Sequence, residues 1–530
     1  MINKLKTLSF ALIALLMAAC SGIDRGDDVR SELLGFVPDK TQVVISINPQ
    51  KMLRSAGGDW TEADGIVRGP YIDDLLNQVG EHVKFDENAD AYLKIKGLNP
   101  ESVIVASGNN FNSWYMLGAV TDKNLLTDYI SNVCDMKIEN KSGFDVVNLK
   151  EGACLLIDNT DQLLWMVTER DSDDAVRFVK NIKSRAADKS MSKWAHKYLG
   201  SGDNYFSAMG NFSAMGVNLN GLMRMMNVPA DMLGGDISYM VLTAGESGHK
   251  ASVHLMTLDA EGKNVPLFNE RFYKSADLSA WNMLPDACES KFALGISGKE
   301  VMADLPILRS AIENNLLVDA IESLQSIAMG ISSIDYSSLE AASSNIVTYP
   351  VKNGAVVAKF APGKSAEILK FIASSVPDIQ TVDDNTLKLD MTQANIKGLD
   401  AIYFSNQNDA LIVSADNAKP GNRSESLPSN TLAYSYSNGK VYGTQGMMAF
   451  AAEMLKSATG SWNADGIHSE AQYTDKCPGT MALFIKTASV YIAEMNKMQK
   501  EQAVMFDELY DDDELSDYEP VSVAIVDSVE

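Results

Sequence analysis

A short strand of alternating bulky and small side chains, followed at once by a helix, returns several times along this chain and limits what it can fold into. Leu284-Pro285-Asp286 leads into Lys291-Phe292-Ala293-Leu294-Gly295-Ile296-Ser297, with Ser297 placed to cap a helix through Val301, Met302 and Leu305. Leu427-Pro428-Ser429 leads into Thr431-Leu432-Ala433-Tyr434-Ser435-Tyr436-Ser437, then a helix through Val441, Met447, Phe450 and Met454. Near the start, Phe36-Val37-Pro38-Asp39 leads into Gln42-Val43-Val44-Ile45-Ser46-Ile47-Asn48. There Asn48 is an N-cap and Pro49 takes the first helical position. A looser copy runs from Asn204 through Phe206, Ala208 and Asn211 to a helix around Val217–Met226. Period-two alternation makes each stretch a strand with two unlike faces, and the small face lets a helix pack close.

The segments after these openings recur as well. The first opening leads to a hairpin (Val103–Ala106, Trp114–Val120), a helix (Asp122–Val133) and four strands near 136–140, 144–149, 152–157 and 162–167. The Leu284 opening leads to a hairpin (Asn345–Tyr349, Ala355–Phe360), a helix (Lys364–Ser374) and four strands near 379–382, 386–391, 400–405 and 409–414. The first half carries an extra helix, Asp173–Arg185, where the second has a loop at Asp416–Leu427. The pattern predicts an α+β protein of mostly antiparallel sheets with packed helices. Its two duplicated halves, 36–280 and 281–505, are built from strand-helix-hairpin-helix units in ferredoxin-like layers.

At 530 residues the chain is too long for one core, and its 46% hydrophobic and 22% charged residues are those of a globular protein. The net charge is −25. A body this acidic repels nucleic acid, whose binding rests on Lys and Arg at the phosphates, and it repels anionic lipid as well.

The N-terminus fixes the expected location. Asn3, Lys4 and Lys6 precede an apolar run from Leu8 to Met17, broken only by Ser9 and followed by Ala18-Ala19-Cys20-Ser21-Gly22. Basic, then apolar, then small residues are the layout of a secretory signal. The run is shorter than the ~20 residues that span a bilayer. Leu16-Met17-Ala18-Ala19-Cys20 resembles a bacterial lipobox, which implies cleavage before Cys20 and acyl chains on its sulfur and new amino group. Several chains anchor a protein stably where one does not. The division expected is thus 1–19 signal peptide, 20–35 acidic tether (Asp24, Asp27, Asp28, Glu32), the two halves, and 506–530. That last segment reads as an acidic tail whose terminal strand, Val521–Val526, docks on a sheet edge of the body, with Asp511–Glu519 as the link, the alternative being capture of a partner by strand addition.

Chemistry is harder to find. Beyond Cys20 there are Cys134, Cys154, Cys288 and Cys477, and an oxidising compartment allows three pairings. Cys134 and Cys154 are the best local pair, worth roughly 3 kcal/mol if closed, against the alternative of four buried free thiols. No spacing matches a zinc site. The histidines are His82, His196, His249, His254 and His468; His249 and His254 fall on opposite faces of one strand and share no metal. The methionines at 209, 215, 223, 225, 226 and 232 read as core filling rather than a copper site. Asp511-Asp512-Asp513 lacks the spacing of a calcium loop. Ser190-Met191-Ser192-Lys193 and Ser437-Asn438-Gly439-Lys440 match S-x-x-K without the third motif in its place. Gly295-Ile296-Ser297-Gly298-Lys299 departs from phosphate-loop spacing. No catalytic residue, metal ligand or cofactor site emerges. Trp60 and Trp462, in Gly58-Asp59-Trp60 and Gly460-Ser461-Trp462, are each soon followed by Ala-Asp-Gly-Ile, at 63–66 and 464–467. They are the candidates for contact with a protein or glycan partner, with an indole folded onto the core as the alternative.

The lipobox, the short acidic tether and Val37-Pro38-Asp39 with Val43-Val44 and Ile47 ahead of a helix are similar to lipoproteins of Bacteroidetes catalogued as a domain of unknown function. The resemblance implies an outer-membrane setting, on the periplasmic face or the cell surface, and lends no catalytic residue. The expected role is non-catalytic binding at the cell envelope. A secreted hydrolase using a carboxylate pair is the alternative, and a carbohydrate-active one is an example.

Overall fold

The computed structural model describes residues 26–61, 65–80, 96–107, 113–149, 152–168, 170–217, 233–267, 269, 278–285, 290–295, 338–344, 354–394, 399–415, 421, 431–438 and 450–510. Its first elements are α1 (Gly26–Leu34), β1 (Val43–Ile47), α2 (Pro49–Ser55), β2 (Asp59–Thr61), β3 (Gly65–Val67), α3 (Pro70–Gly80), β4 (Leu98–Ser107), β5 (Trp114–Val120) and α4 (Lys123–Asp128), which runs into a π turn at Tyr129–Val133. Then come β6 (Ile138–Lys141), β7 (Phe144–Asn148), β8 (Cys154–Asp158), β9 (Leu163–Val167), α5 (Ser172–Asp188), α6 (Lys193–Leu199), β10 (Asn204–Asn211), α7 (Phe212–Met215), β11 (Tyr239–Ser247) and β12 (Lys250–Leu258). They are followed by α8 (Leu278–Asn282), β13 (Ser290–Gly295), β14 (Leu339–Ser344), β15 (Ala355–Phe360), α9 (Lys364–Ser375), β16 (Gln380–Asp383), β17 (Thr386–Asp390), β18 (Ala401–Gln407) and β19 (Ala410–Ala415). The last are β20 (Ala433–Asn438), α10 (Ala451–Met454), β21 (Leu455–Asn463), β22 (Gly466–Tyr473) and α11 (Thr480–Tyr510).

Apart from the small β2–β3 hairpin, the strands join one twenty-stranded antiparallel sheet. In the first half the order from the edge inward is β6-β7-β8-β9-β5-β4-β1-β10-β11-β12. In the second it is β16-β17-β18-β19-β15-β14-β13-β20-β21-β22. The two orders are the same, strand for strand. They meet where β12 pairs antiparallel with β22, from Lys250↔Gln472 to Leu255↔Ile467. The fold is α+β, and its strand order occurs twice.

Local chemistry places the helix starts. Asn48 accepts the Lys51 amide at 2.9 Å, with Pro49 at the first helical position. Asp122 caps α4 through Asn124 and Leu125, and Asp171 caps α5 through Asp173 and Asp174. Strands β7, β8 and β9 are buried on both faces. Phe144, Val146, Cys154, Leu156, Leu163, Trp165 and Val167 point into a core closed by α1, α5 and α6. The alternate residues Val147, Ile157 and Leu164 point into a second core with Leu53 of α2, Leu126 of α4 and the hairpin residues Trp60 and Ile66. The second half repeats the two-sided arrangement. Phe360, Leu387, Phe404 and Leu411 pack under Ile368, Leu369 and Ile372 of α9. Ala293, Val357 and Ile412 pack against Ala280 and Trp281 of α8. The small face of β13 is the buried one, as its alternation predicts.

Three expectations are corrected. The acidic segment 20–35 is not all tether, because 26–34 is α1, with Leu33 and Leu34 buried and each contributing on the order of 2 kcal/mol. Arg30 of this helix is 1% exposed and donates to the carbonyls of Glu101, Ser201 and Asn204. The Cys134–Cys154 pairing does not form and both thiols are free. The sheet stands between them: Cys154 belongs to the α5 side, while Cys134 packs on the α4 side. The strand that pairs with β15 is Leu339–Ser344. Its Ala-Ala-Ser-Ser run has little strand propensity, and pairing on both sides overrides that. Residues 345–349, where the sequence put this strand, lie outside the described residues, as do Cys20, Cys288 and the terminal strand 521–526.

Candidate functional site

The seam between the halves brings together residues that lie far apart in sequence. His254 of β12 and His468 of β22 are cross-strand partners, and their rings stack with centroids 3.7 Å apart and planes 24° apart. The turn before β22 closes the group. The Asp465 carbonyl lies 3.4 Å from His254 Nε2 and accepts from Asn264 Nδ2 at 3.1 Å. Gly466 follows at φ +134°, where a Cβ would collide with the Leu255 carbonyl oxygen. Only glycine fits that approach.

Burial, and then the neighbouring His468 imidazole, hold His254 below the usual histidine range, against the opposing pull of the Asp465 carbonyl. An unfolded histidine titrates at about 6.5. Since the folded value is lower, the unfolded chain binds the extra proton first, so this contribution is complete above that pH and is lost as pH falls through the folded value. The thermal midpoint of the wild type should drop between about pH 7.5 and 5.5, and His254→Gln should flatten that slope. His196, also held low by burial, leaves a residual slope in the variant. Identical slopes in the two proteins would show that His254 does not contribute to the pH dependence there.

Beside the seam, the last helix is clamped onto the first half. Glu246 Oε1 accepts the Ser55 hydroxyl at 2.9 Å and the Thr480 amide at 2.5 Å. Ser55 Oγ in turn accepts the Met481 amide at 2.9 Å. A carboxyl side chain at a helix N-terminus suits both the orphan amides and the helix dipole. Lys486 pairs with Asp74 of α3 at 2.8 Å, and Tyr71 donates to the Lys476 carbonyl. Beneath the clamp, burial pushes the Tyr473 phenol up to about 12 and the Cys477 thiol up to about 11. Cys477 is therefore a thiol at neutral pH, with the inertness of a core residue.

The outward side of α11 is different. Phe484 is 66% exposed, Tyr491 57%, Met498 49% and Met495 37%, while Ala482 and Ser489 on the opposite side are buried. Large apolar side chains exposed in a row on one helix face are a feature of interaction surfaces.

Of the residues the sequence singles out, Trp60 is 5% exposed and belongs to the core under α2. It is a lid on that core, not a partner contact. Trp462 is half-buried within β21, opposite Ala433 and Ile467. Each tryptophan pairs across its hairpin with the isoleucine of the following Ala-Asp-Gly-Ile segment, Trp60 with Ile66 and Trp462 with Ile467. The structure does not bring the two tryptophans into one cluster. His249 lies 3.7 Å from Asp475, away from the histidine stack. Among the described residues no three His, Cys, Asp or Glu side chains gather as a metal site. No described helix is long and apolar enough to cross a membrane.

No family model matches the chain, and no curated protein does. Among solved structures, crystal form I of TP0453 is similar at 12% identity over 44% of this chain and 80% of that one, with a TM-score of 0.25. Crystal form III of TP0453 gives 11% identity, 43% and 80% coverage, and the same TM-score. A likeness this slight carries no argument about function. What the residues themselves define is an α+β protein with a twice-repeated strand order, a histidine stack at its centre and an apolar row on its last helix.

Proposed function

We propose that this protein is held by acyl chains on Cys20 at the outer membrane of a bacterial envelope and acts there by non-catalytic binding. The observation that carries the binding reading is the exposed row Phe484, Tyr491, Met495 and Met498 on α11. Water-facing aromatic and methionine side chains in one line are costly to leave open and suit a partner surface. The anchor reading rests on the lipobox and the apolar run before it. Six residues of sequence, Cys20 to Arg25, separate the proposed anchor from α1.

Replacing Tyr491 with a benzoyl-phenylalanine photocrosslinker in cells should give a discrete heavier adduct, and the same group at exposed Lys476 should not. Equal labelling at both positions, or none at 491, would overturn the binding role of this face. The anchor has its own test. Cys20→Ala should move the chain from the membrane to the soluble fraction and abolish labelling by a fatty-acid analogue. A variant that stays in the membrane fraction unlabelled would place the anchor elsewhere.

A further inference from the structure

We propose that the outward face of α11 is one half of a two-helix seam, and that its partner is an amphipathic helix of another protein with Lys or Arg beside its apolar stripe. This rests on the binding reading above and names the partner's chemistry.

The spacing is the first argument. Phe484, Ala488, Tyr491, Met495 and Met498 succeed one another at four, three, four and three residues. In the sequence the same steps continue to Gln502, Met505 and Leu509. That is the 3.5-residue repeat of a coiled-coil seam. At about 100° per residue, these five seam positions cover about 80°, and half-buried Ile485 and Ile492 beside them widen the apolar face to about 140°. A helix lying in a lipid surface presents a wide apolar face and basic flanks. What separates this one from such a helix is its polar flank, which carries glutamate in place of Lys and Arg.

The flank is the second argument. Exposed Glu494 precedes Met495, and the sequence repeats a glutamate seven residues on at Glu501 and again at Glu508. Acids at a strict seven-residue interval beside the seam occupy the positions that choose a coiled-coil partner by charge. The other flank of the seam carries Ile485, Ile492, Gln499 and Phe506. A second copy of this chain therefore offers no cation to these glutamates in a parallel pairing and sets glutamates against glutamates in an antiparallel one. Two chains of net charge −25 also repel each other. A helix carrying Lys or Arg at its flanks satisfies both repeats at once.

The test uses the full mature chain and two fluorescent synthetic helices of four heptads with the same Leu seam, one flanked by Lys and the other by Glu, read by anisotropy. The Lys-flanked helix should bind at least about tenfold more tightly, with the difference shrinking as salt rises. Tyr491→Glu with Met498→Glu should abolish binding, and Glu494→Lys should narrow or reverse the preference while leaving the circular dichroism unchanged. Equal binding of the two peptides overturns the proposal. So does self-association of the chain in sedimentation that Tyr491→Glu dissolves, or flotation with phosphatidylcholine vesicles that Tyr491→Glu stops. In those last two outcomes the face still binds and only the partner is wrong. Failure with peptides, vesicles and itself removes the binding reading too.

Discussion

Arg30→Ala should lower the unfolding free energy by about 3–5 kcal/mol, read as a shift of the urea midpoint at unchanged slope. The guanidinium lies inside the protein and reaches three backbone carbonyls, those of Glu101 in β4, Ser201 and Asn204 at the start of β10. Alanine removes every donor, leaves those carbonyls buried and opens a void the length of the side chain. Arg30→Lys should recover only part of the loss, because one ammonium cannot span carbonyls that a planar fork reaches from two sides. Arg30→Met fills the space without donors and separates packing from hydrogen bonding. A midpoint shift worth less than about 1 kcal/mol for Arg30→Ala would mean that α1 rests on the body without holding it together.

Glu246→Ala should cost about 2 kcal/mol and should loosen one part of the chain more than the rest. Ser55 and the Thr480 amide both lose their acceptor, and the N-terminus of α11 loses its cap. Limited proteolysis should then cut first around the start of α11, while the first-half core under α5 stays protected. Glu246→Gln keeps an acceptor oxygen and should behave closer to the wild type. Equal cleavage rates at that site in wild type and Glu246→Ala would show that the Lys486–Asp74 pair and apolar packing hold the helix without this clamp.

Much of the sheet could be read from the sequence because strand alternation is local. Trp114–Val120 and Ala355–Phe360 stand where the pattern puts them, and the cap read at Asn48 acts on a neighbouring residue. The repeated order of strands reflects the repeated openings. α1 was hidden by its charge, although Val29, Leu33 and Leu34 carry a helical spacing under the acids. α11 reaches Tyr510, past the start of the acid run read as tail, because the apolar repeat outweighs the local charge. The cysteines misled, because nearness along the chain says nothing about which face of a sheet each thiol takes. The histidine stack had no local signal. Only a register between β12 and β22 puts His254 opposite His468, and neither strand announces its partner.

The Lys486–Asp74 and Ser55–Met481 contacts join residues 412 and 426 apart in sequence. A chain made from its N-terminus thus completes its first half early and must wait for nearly all the rest before that half is covered. Until β22 arrives, β12 is an open sheet edge, and until α11 arrives the surface of α3 and Ser55 is bare. Closure over such separations is slow, and exposed edges during the delay favour mispairing with other chains. A chain ending before Gly466 would keep that edge open, and one ending before Thr480 would still leave Ser55 and α3 bare, so the last sixty-odd residues decide when the first half stops being a hazard to its neighbours.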